Sequence, residues 1–375
     1  MKKVLFIFDR VAHYHSNLFQ MLEIEFLKQG LELHLLSGIA KENDIGRVGL
    51  RDQVIRNEYK YRFVEYKIGS YIFRRAPGIF HILEKLRPHV VVCMAHVGNI
   101  SHWRLCQLKR KFGFKLVAWQ CGYEYNPGAA KSFLLRQFVP RFDLHLAYHT
   151  NAKKYALMHG ASERSVVITH NTINESSIPI LPKSEARSML AARHIEIGDR
   201  RILLFVGAVL REKKIELILE ALDLLNRTDL ILLVIGNGPH LPVIRQLCKE
   251  RRDVLLVGEV IEGVGAYFDS ADIYLLPGTG GLGINEAMAH ELPIVSGYAD
   301  GSADDLVIDH LNGFRLKNNS SNELANRISE VLNDADLAQK MGKSSRELIT
   351  SKFAFTKFVS RVSGGICDLA NNGRT

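Results

Sequence analysis

Cysteine is scarce in this chain. Its 375 residues hold five (Cys93, Cys106, Cys121, Cys248, Cys367), an odd number, scattered and without a CxxC pair, so neither a disulfide framework nor a zinc site is expected. No stretch approaches the roughly 18 consecutive apolar residues of a membrane span, and the start MKKVLFIFDR carries charge too early for a secretory leader. The chain is therefore expected to stay in a reducing cytoplasm. Proline (10) and glycine (29) are too few for a collagen-like or disordered chain. RNP1 patterns, zinc fingers and recognition-helix signatures are missing, so nucleic acid is not an expected partner.

What is present fits a water-soluble globular protein, with 47% apolar and 24% charged residues. At roughly 150 residues per domain the length predicts two domains. The net charge of +9 is unevenly spread: residues 1–180 hold 26 Lys+Arg against 14 Asp+Glu, and the remainder holds 23 against 26. A basic first half points to an anionic membrane surface.

Short apolar runs recur at Val4–Phe8, Leu31–Leu36, His89–Met94, Lys115–Trp119, Leu144–Tyr148 and Ser165–Thr169. They return at Arg201–Val206, Leu230–Ile235, Val254–Val257, Ile273–Leu276 and Pro293–Ser296, with helix-length segments between most of them. Runs rather than alternation mean strands covered on both faces, so the fold class is α/β with two parallel-sheet domains and a cleft between them. A polar stretch with two prolines, SSIPILPKSEARSML, reads as the linker. The expected division is 1–180, 181–350, and a C-terminal helix over 351–375 that crosses back to the first domain.

Ligands of open parallel sheets bind beyond the carboxyl ends of the strands, so the loops there carry the information. After RILLFV come Gly207 and then Arg211, Lys213 and Lys214, where a helix begins. Cations at a helix start oppose its dipole unless an anion binds there; the alternative is a solvated charge run with Glu212 as partner. After LILLVI stands Gly236-Asn237-Gly238-Pro239, a turn that allows close backbone approach. After IYLL stands Pro277-Gly278-Thr279-Gly280-Gly281-Leu282-Gly283, four glycines in six residues before a helix, a backbone cradle for an anion. Glu286 follows, placed either to accept hydrogen bonds from a ribose diol or simply to favour the helix dipole. Gly278, Gly280 and Gly283 also match GxGxxG with Asp300 about seventeen residues on, which keeps an NAD(P)-dependent oxidoreductase as the alternative enzyme class. In the first half His13, His15 and His96 follow strands, as do Tyr123, Glu124 and Tyr125. They are candidates for an acceptor site, His96 also for a catalytic contact, against the plainer reading of incidental histidines and aromatic packing.

The ordered blocks FVGAVLREKKIELILEAL, LILLVIGNGP, VLLVGEV with YFDSADIYLLPG, EAMAHELPIV and DGSADDLVIDHLNGFRL, over most of residues 201–317, resemble glycosyltransferase family 4 of the GT-B class. The first half resembles it only in architecture. The loop at 277–282 is similar to that of a PGxxGL-type branch. The resemblance implies two Rossmann-like domains facing across a cleft, and a retaining transfer from a nucleotide-diphosphate sugar to a glycan or lipid-linked glycan acceptor. It further implies that Lys213 binds the diphosphate, Glu286 the ribose, and the backbone of Gly280 to Leu282 the phosphates. Three positions depart from the family: Ala208 stands where an Arg is usual, with Arg211 as the substitute charge; Gly278 stands where the first of two glutamates is usual; and Cys121 stands near the place of a first-domain histidine. No DxD motif occupies a matching loop, so no metal or other cofactor is expected. The expected role is bacterial surface polysaccharide synthesis (O-antigen, capsule or exopolysaccharide), in the cytoplasm or peripherally on the inner face of the plasma membrane. A nucleotide-sugar-binding protein without activity is the non-enzymatic alternative.

Overall fold

The computed structural model describes the chain apart from residues 10, 12–14, 40–52, 63, 69–70, 123–127, 194, 196, 298–300 and 372–375. The chain divides into two units, Met1–Asn171 with Thr356–Thr375, and Thr172–Phe355. The first crossing precedes the expected boundary at 180 because Ile173, Ile178 and Leu181 pack on the core of the second unit. The second crossing follows the expected boundary at 350 because Phe353 is part of that same core.

The first unit is built on β1 (Lys2–Phe8), β2 (Leu31–Gly38), β3 (Glu58–Tyr61), the hairpin strands β4 (Val64–Ile68) and β5 (Tyr71–Arg75), β6 (Val90–Met94), β7 (Lys115–Gln120), β8 (Leu144–Ala147) and β9 (Val166–Ile168). Seven of them form one sheet in the order β3-β2-β1-β6-β7-β8-β9, with every pairing parallel. The second unit holds β10 (Arg201–Val206), β11 (Leu230–Ile235), β12 (Val254–Gly258), β13 (Ile273–Leu276), β14 (Ile294–Ser296) and β15 (Gly313–Arg315). They form a parallel sheet in the order β12-β11-β10-β13-β14-β15. In both units the order reverses beside the first strand, which creates a switch point between β1 and β6 and another between β10 and β13. The apolar runs became strands because helices cover both faces: Leu203, Leu204, Leu232 and Leu233 are wholly buried. Strands β3, β4, β5 and β15 lie outside those runs. Three of them (EYKY, VEYKI, YIFRR) mix polar and aromatic residues, and β4 and β5 pair antiparallel as a separate two-stranded sheet.

The last helix, Phe355–Asn371, closes the first unit. Phe358 is 1% exposed and sets its ring 6.0 Å from that of Trp119. Arg361 donates to the Thr169 carbonyl at 3.4 Å, and the Lys2 ammonium donates to the Ala370 carbonyl at 2.9 Å. The Phe358→Ala substitution is expected to destabilise this unit by about 3–5 kcal/mol, the cost of a large buried cavity. Both tryptophans of the chain, Trp103 and Trp119, lie in this unit, so urea unfolding followed by tryptophan fluorescence reads it directly. An unshifted midpoint contradicts the packing role.

Candidate functional site

At the carboxyl edge of the second sheet three loops meet. The loop after β10 runs through Gly207 to a 3-10 turn, Arg211–Lys213, and then to Lys214 at φ +54° before the helix Ile215–Leu225. Its amides bind the neighbouring loop: Gly207 N–H donates to the Ile235 carbonyl at 2.9 Å and Val209 N–H to the Asn237 carbonyl at 3.0 Å. Glycine is required where these loops touch. A Cβ on Gly236 (φ +136°) would sit 1.9 Å from the Gly207 carbonyl oxygen, and one on Gly238 would sit 2.3 Å from that of Val209.

The loop after β13 comes up against the 3-10 turn. Thr279 N–H donates to the Glu212 carbonyl at 2.9 Å, and a Cβ on Gly278 would lie 2.1 Å from that same oxygen. A side chain at 278 thus has no room without displacing the turn. The contact also removes the Thr279 amide from the set of anion donors expected there. The Lys213 ammonium donates to the carbonyls of Thr279 at 2.5 Å and of Gly280 at 2.6 Å. Charge-assisted hydrogen bonds of this kind contribute about 1.5–3 kcal/mol each. A Cβ on Gly281 would come within 3.8 Å of the same ammonium. Arg211 lies exposed on the turn, while Lys213 is half-buried.

Glu286 extends from the helix Gly283–Ala289 behind the loop, with its side chain 25% exposed. Burial pushes its carboxyl above the ordinary range, partly offset by His290. His290 Nδ1 pairs with Asp269 Oδ1 at 2.7 Å, and its Nε2 lies 3.9 Å from Glu286 Oε1. The Tyr274 hydroxyl donates to the Val206 carbonyl at 3.1 Å and occupies the space a Cβ on Gly283 would need. Two glycines of the GxGxxG match, Gly278 and Gly283, are therefore filled against by the protein's own groups. The loop also follows the fourth strand of its unit, whereas a dinucleotide fingerprint follows the first. Asp300 lies outside the described residues. A second pair that the sequence pattern missed, His240 Nε2 against the Glu216 carboxylate, joins the loop after β11 to the first turn of the helix after Lys214.

The first unit has its own switch-point cluster, centred on Asp9 at the end of β1. Tyr61 donates to Asp9 Oδ1 at 3.0 Å and Asn99 to Oδ2 at 3.4 Å, and Arg74 stands 4.0 Å from Oδ2. Asn99 also caps the helix Ile100–Phe112 through the Ser101 amide at 3.0 Å. His96 is exposed after β6; its Nδ1 accepts from Gly98 N–H at 3.1 Å, and its backbone N–H donates to His102 Nδ1 at 3.3 Å. Burial lowers the His102 pKa to about 4. His15 is nearly buried, with its ring 5.9 Å from that of Phe8. His13, Tyr123, Glu124 and Tyr125 lie outside the described residues, and Cys121 is exposed.

At the opposite edge of the second sheet, a cavity of about 530 Å³ is lined by Arg227, Arg251, Asp223 and Asp253 among others. Two of its arginines are ion-paired, Arg227 with Asp229 and Arg251 with Asp223 and Asp253, and a third, Arg200, donates to the Arg252 carbonyl at 2.9 Å. Among the described residues no group of three or more His, Cys, Asp or Glu is arranged to hold a metal ion, and no helix is long and apolar enough to cross a membrane.

Residues 190–348 match the sequence profile of the family described as "Glycosyl transferases group 1". A GDP-mannose-dependent alpha-(1-6)-phosphatidylinositol monomannoside mannosyltransferase of Mycobacterium tuberculosis is 27% identical over 198 residues, 48% of this chain and 51% of the relative. The capsular polysaccharide biosynthesis glycosyltransferase CapM of Staphylococcus aureus is 21% identical over 210 residues, 50% of this chain and 54% of the relative. The chain thus spans about half the length of the curated relatives it matches. Over nearly its whole length it shares a fold with the crystal structure of Anabaena Alr3699/HepE in complex with UDP-glucose, at a TM-score of 0.75, 15% identity, and coverage of 98% of this chain and 99% of that one. Its fold is the GT-B arrangement of two Rossmann-like units, and residues 190–348 are similar to the group 1 glycosyl transferases.

Proposed function

We propose that this protein is a retaining glycosyltransferase of the GT-B class, in the family 4 branch with a PGxxGL-type loop. It transfers a sugar from a nucleotide-diphosphate donor to a glycan or lipid-linked glycan in bacterial surface polysaccharide synthesis. The observation that supports this most is the Lys213 ammonium, held by two loop carbonyls at the β10–β13 switch point with the Glu286 carboxyl behind it. A departing nucleoside diphosphate gains negative charge, and a positioned ammonium stabilises that charge without a metal or another cofactor. Arg211, on the exposed side of the same turn, adds to the positive field, and the amides of Gly280, Gly281 and Leu282 supply the remaining donors. Gly207, Gly236 and Gly238 let the loops approach closely enough to form this floor. Glu286 accepts the donor's vicinal hydroxyls. His96 is the first unit's candidate contact to substrate. One relative is named for capsular polysaccharide biosynthesis and another for a phosphatidylinositol mannoside acceptor, which supports the substrate class.

The proposed location is the cytoplasmic face of a membrane. The helix Ala129–Phe138 of the basic unit exposes Phe133 and Leu134 beside Lys131 and Arg136, an apolar step flanked by cations. Such a surface favours anionic lipid.

Lys213→Ala is expected to lower turnover of a nucleotide sugar roughly 10²- to 10³-fold when assayed well below the melting temperature, which itself falls with loss of the two carbonyl hydrogen bonds, and with chelator present throughout. Unchanged turnover returns Lys213 to the solvated charge run, and loss of wild-type turnover with chelator alone rejects the metal-free mechanism. Glu286→Gln is expected to weaken UDP or GDP binding by about 1.5–3 kcal/mol, since a charge-assisted pair of acceptors becomes mismatched. Calorimetry with unchanged affinity for both nucleotides removes that assignment. The whole chain is expected to cosediment with anionic vesicles at low salt and to be released at about 0.5 M salt, where screening is within a few ångströms. Equal capture by neutral vesicles counts against the electrostatic account.

A further inference from the structure

Behind Glu286 lies a buried chain of groups with one unsatisfied end. His290, one helical turn past Glu286, has a wholly buried side chain stacked on Phe268, with ring centroids 5.2 Å apart. Asp269, itself buried, accepts from His290 Nδ1 through Oδ1 at 2.7 Å and from Leu181 N–H through Oδ2 at 3.0 Å. With its carboxylate engaged on both oxygens as an acceptor, Nδ1 is the nitrogen that carries a proton. Nε2 faces Glu286 Oε1 across 3.9 Å and is buried without a hydrogen-bond partner. An orphaned buried polar atom is costly, and a rotation of the partly exposed Glu286 side chain closes this gap.

We infer that Asp269 and His290 are a positioning pair for Glu286: with Nδ1–H on Asp269, the His290 imidazolium donates Nε2–H to the Glu286 carboxylate when a nucleoside diphosphate is bound. The proton fixes which way the carboxylate turns and keeps it ionised for the donor's hydroxyls. This rests on the donor-site reading of Glu286. The groups around His290 fit an imidazolium. The carboxylates of Asp269 and Glu286 face it from the helices Gly265–Ser270 and Gly283–Ala289. Across from them, Arg346 on the helix Ala335–Thr350 donates to the Ala289 carbonyl at 2.7 Å. Tyr274 on β13 stays neutral, its ionisation pushed up by burial and by Glu286.

The pH dependence follows from Glu286. Binding needs its carboxyl ionised, and burial raises that carboxyl while His290 lowers it, so affinity falls as pH falls. Calorimetric titration of the full chain with UDP and GDP from neutral to acid pH reads this limb. His290→Phe removes the Nε2 donor and is expected to weaken binding about tenfold and to move the acid limb to higher pH; His290→Gln keeps an amide donor near the Nε2 position and is expected to recover part of both losses. An acid limb and an affinity unmoved in His290→Phe overturn the pairing. If Glu286→Gln also binds both nucleotides like wild type, the donor-site reading itself fails; if Glu286→Gln is weak while His290→Phe binds like wild type, only the positioning role fails. Nitrogen-15 NMR of the wild-type histidine rings decides the matter even if a variant does not fold. With UDP bound near neutral pH both His290 nitrogens are expected to be protonated, and an unprotonated Nε2 overturns the inference.

Discussion

The contact that organises the second unit is the approach of one backbone to another at the carboxyl edge of its sheet. The Glu212 carbonyl lies where a side chain at 278 would begin, and the Gly207 carbonyl where one at 236 would begin. Those two approaches bring three loops, which leave three different strands, onto one floor. Lys213 then reaches the Thr279 and Gly280 carbonyls because its turn is already pressed against them. The glycines make the site possible mainly by being small, and only afterwards by freeing amides.

This changes the meaning of the glycine-rich segment. In the sequence its four glycines read alike, as a cradle for phosphate. In three dimensions they divide: Gly278 and Gly283 admit the Glu212 carbonyl and the Tyr274 hydroxyl, while Gly281 borders the lysine ammonium. The same density of glycine served two purposes, and a linear pattern does not separate them.

Much of the fold was legible because β1, β2, β6–β9 and β10–β14 are apolar runs whose burial follows from being sandwiched between helices. Strands β3–β5 were not legible, since a lightly covered strand may carry EYKY or VEYKI as readily as a loop does. The positions of Lys213, Glu286 and the loop glycines were legible because each follows a strand end and sits in a recognisable block. Asp269, His240 and the Asp9 cluster were not, since their partners come from separate segments: Asp9 meets residues of β3, β5 and the cap of Ile100–Phe112.

The two ends of the chain belong to the same unit, joined where Lys2 meets Ala370. During synthesis the second unit, Thr172–Phe355, is continuous and has all of its strands once Phe355 has emerged. The first unit, begun earliest, waits for the last helix to cover Trp119, Leu144 and Leu146. Vectorial synthesis therefore completes the two units in the reverse of the order in which they are begun, and the first unit stays open over Trp119 until the helix Phe355–Asn371 has emerged.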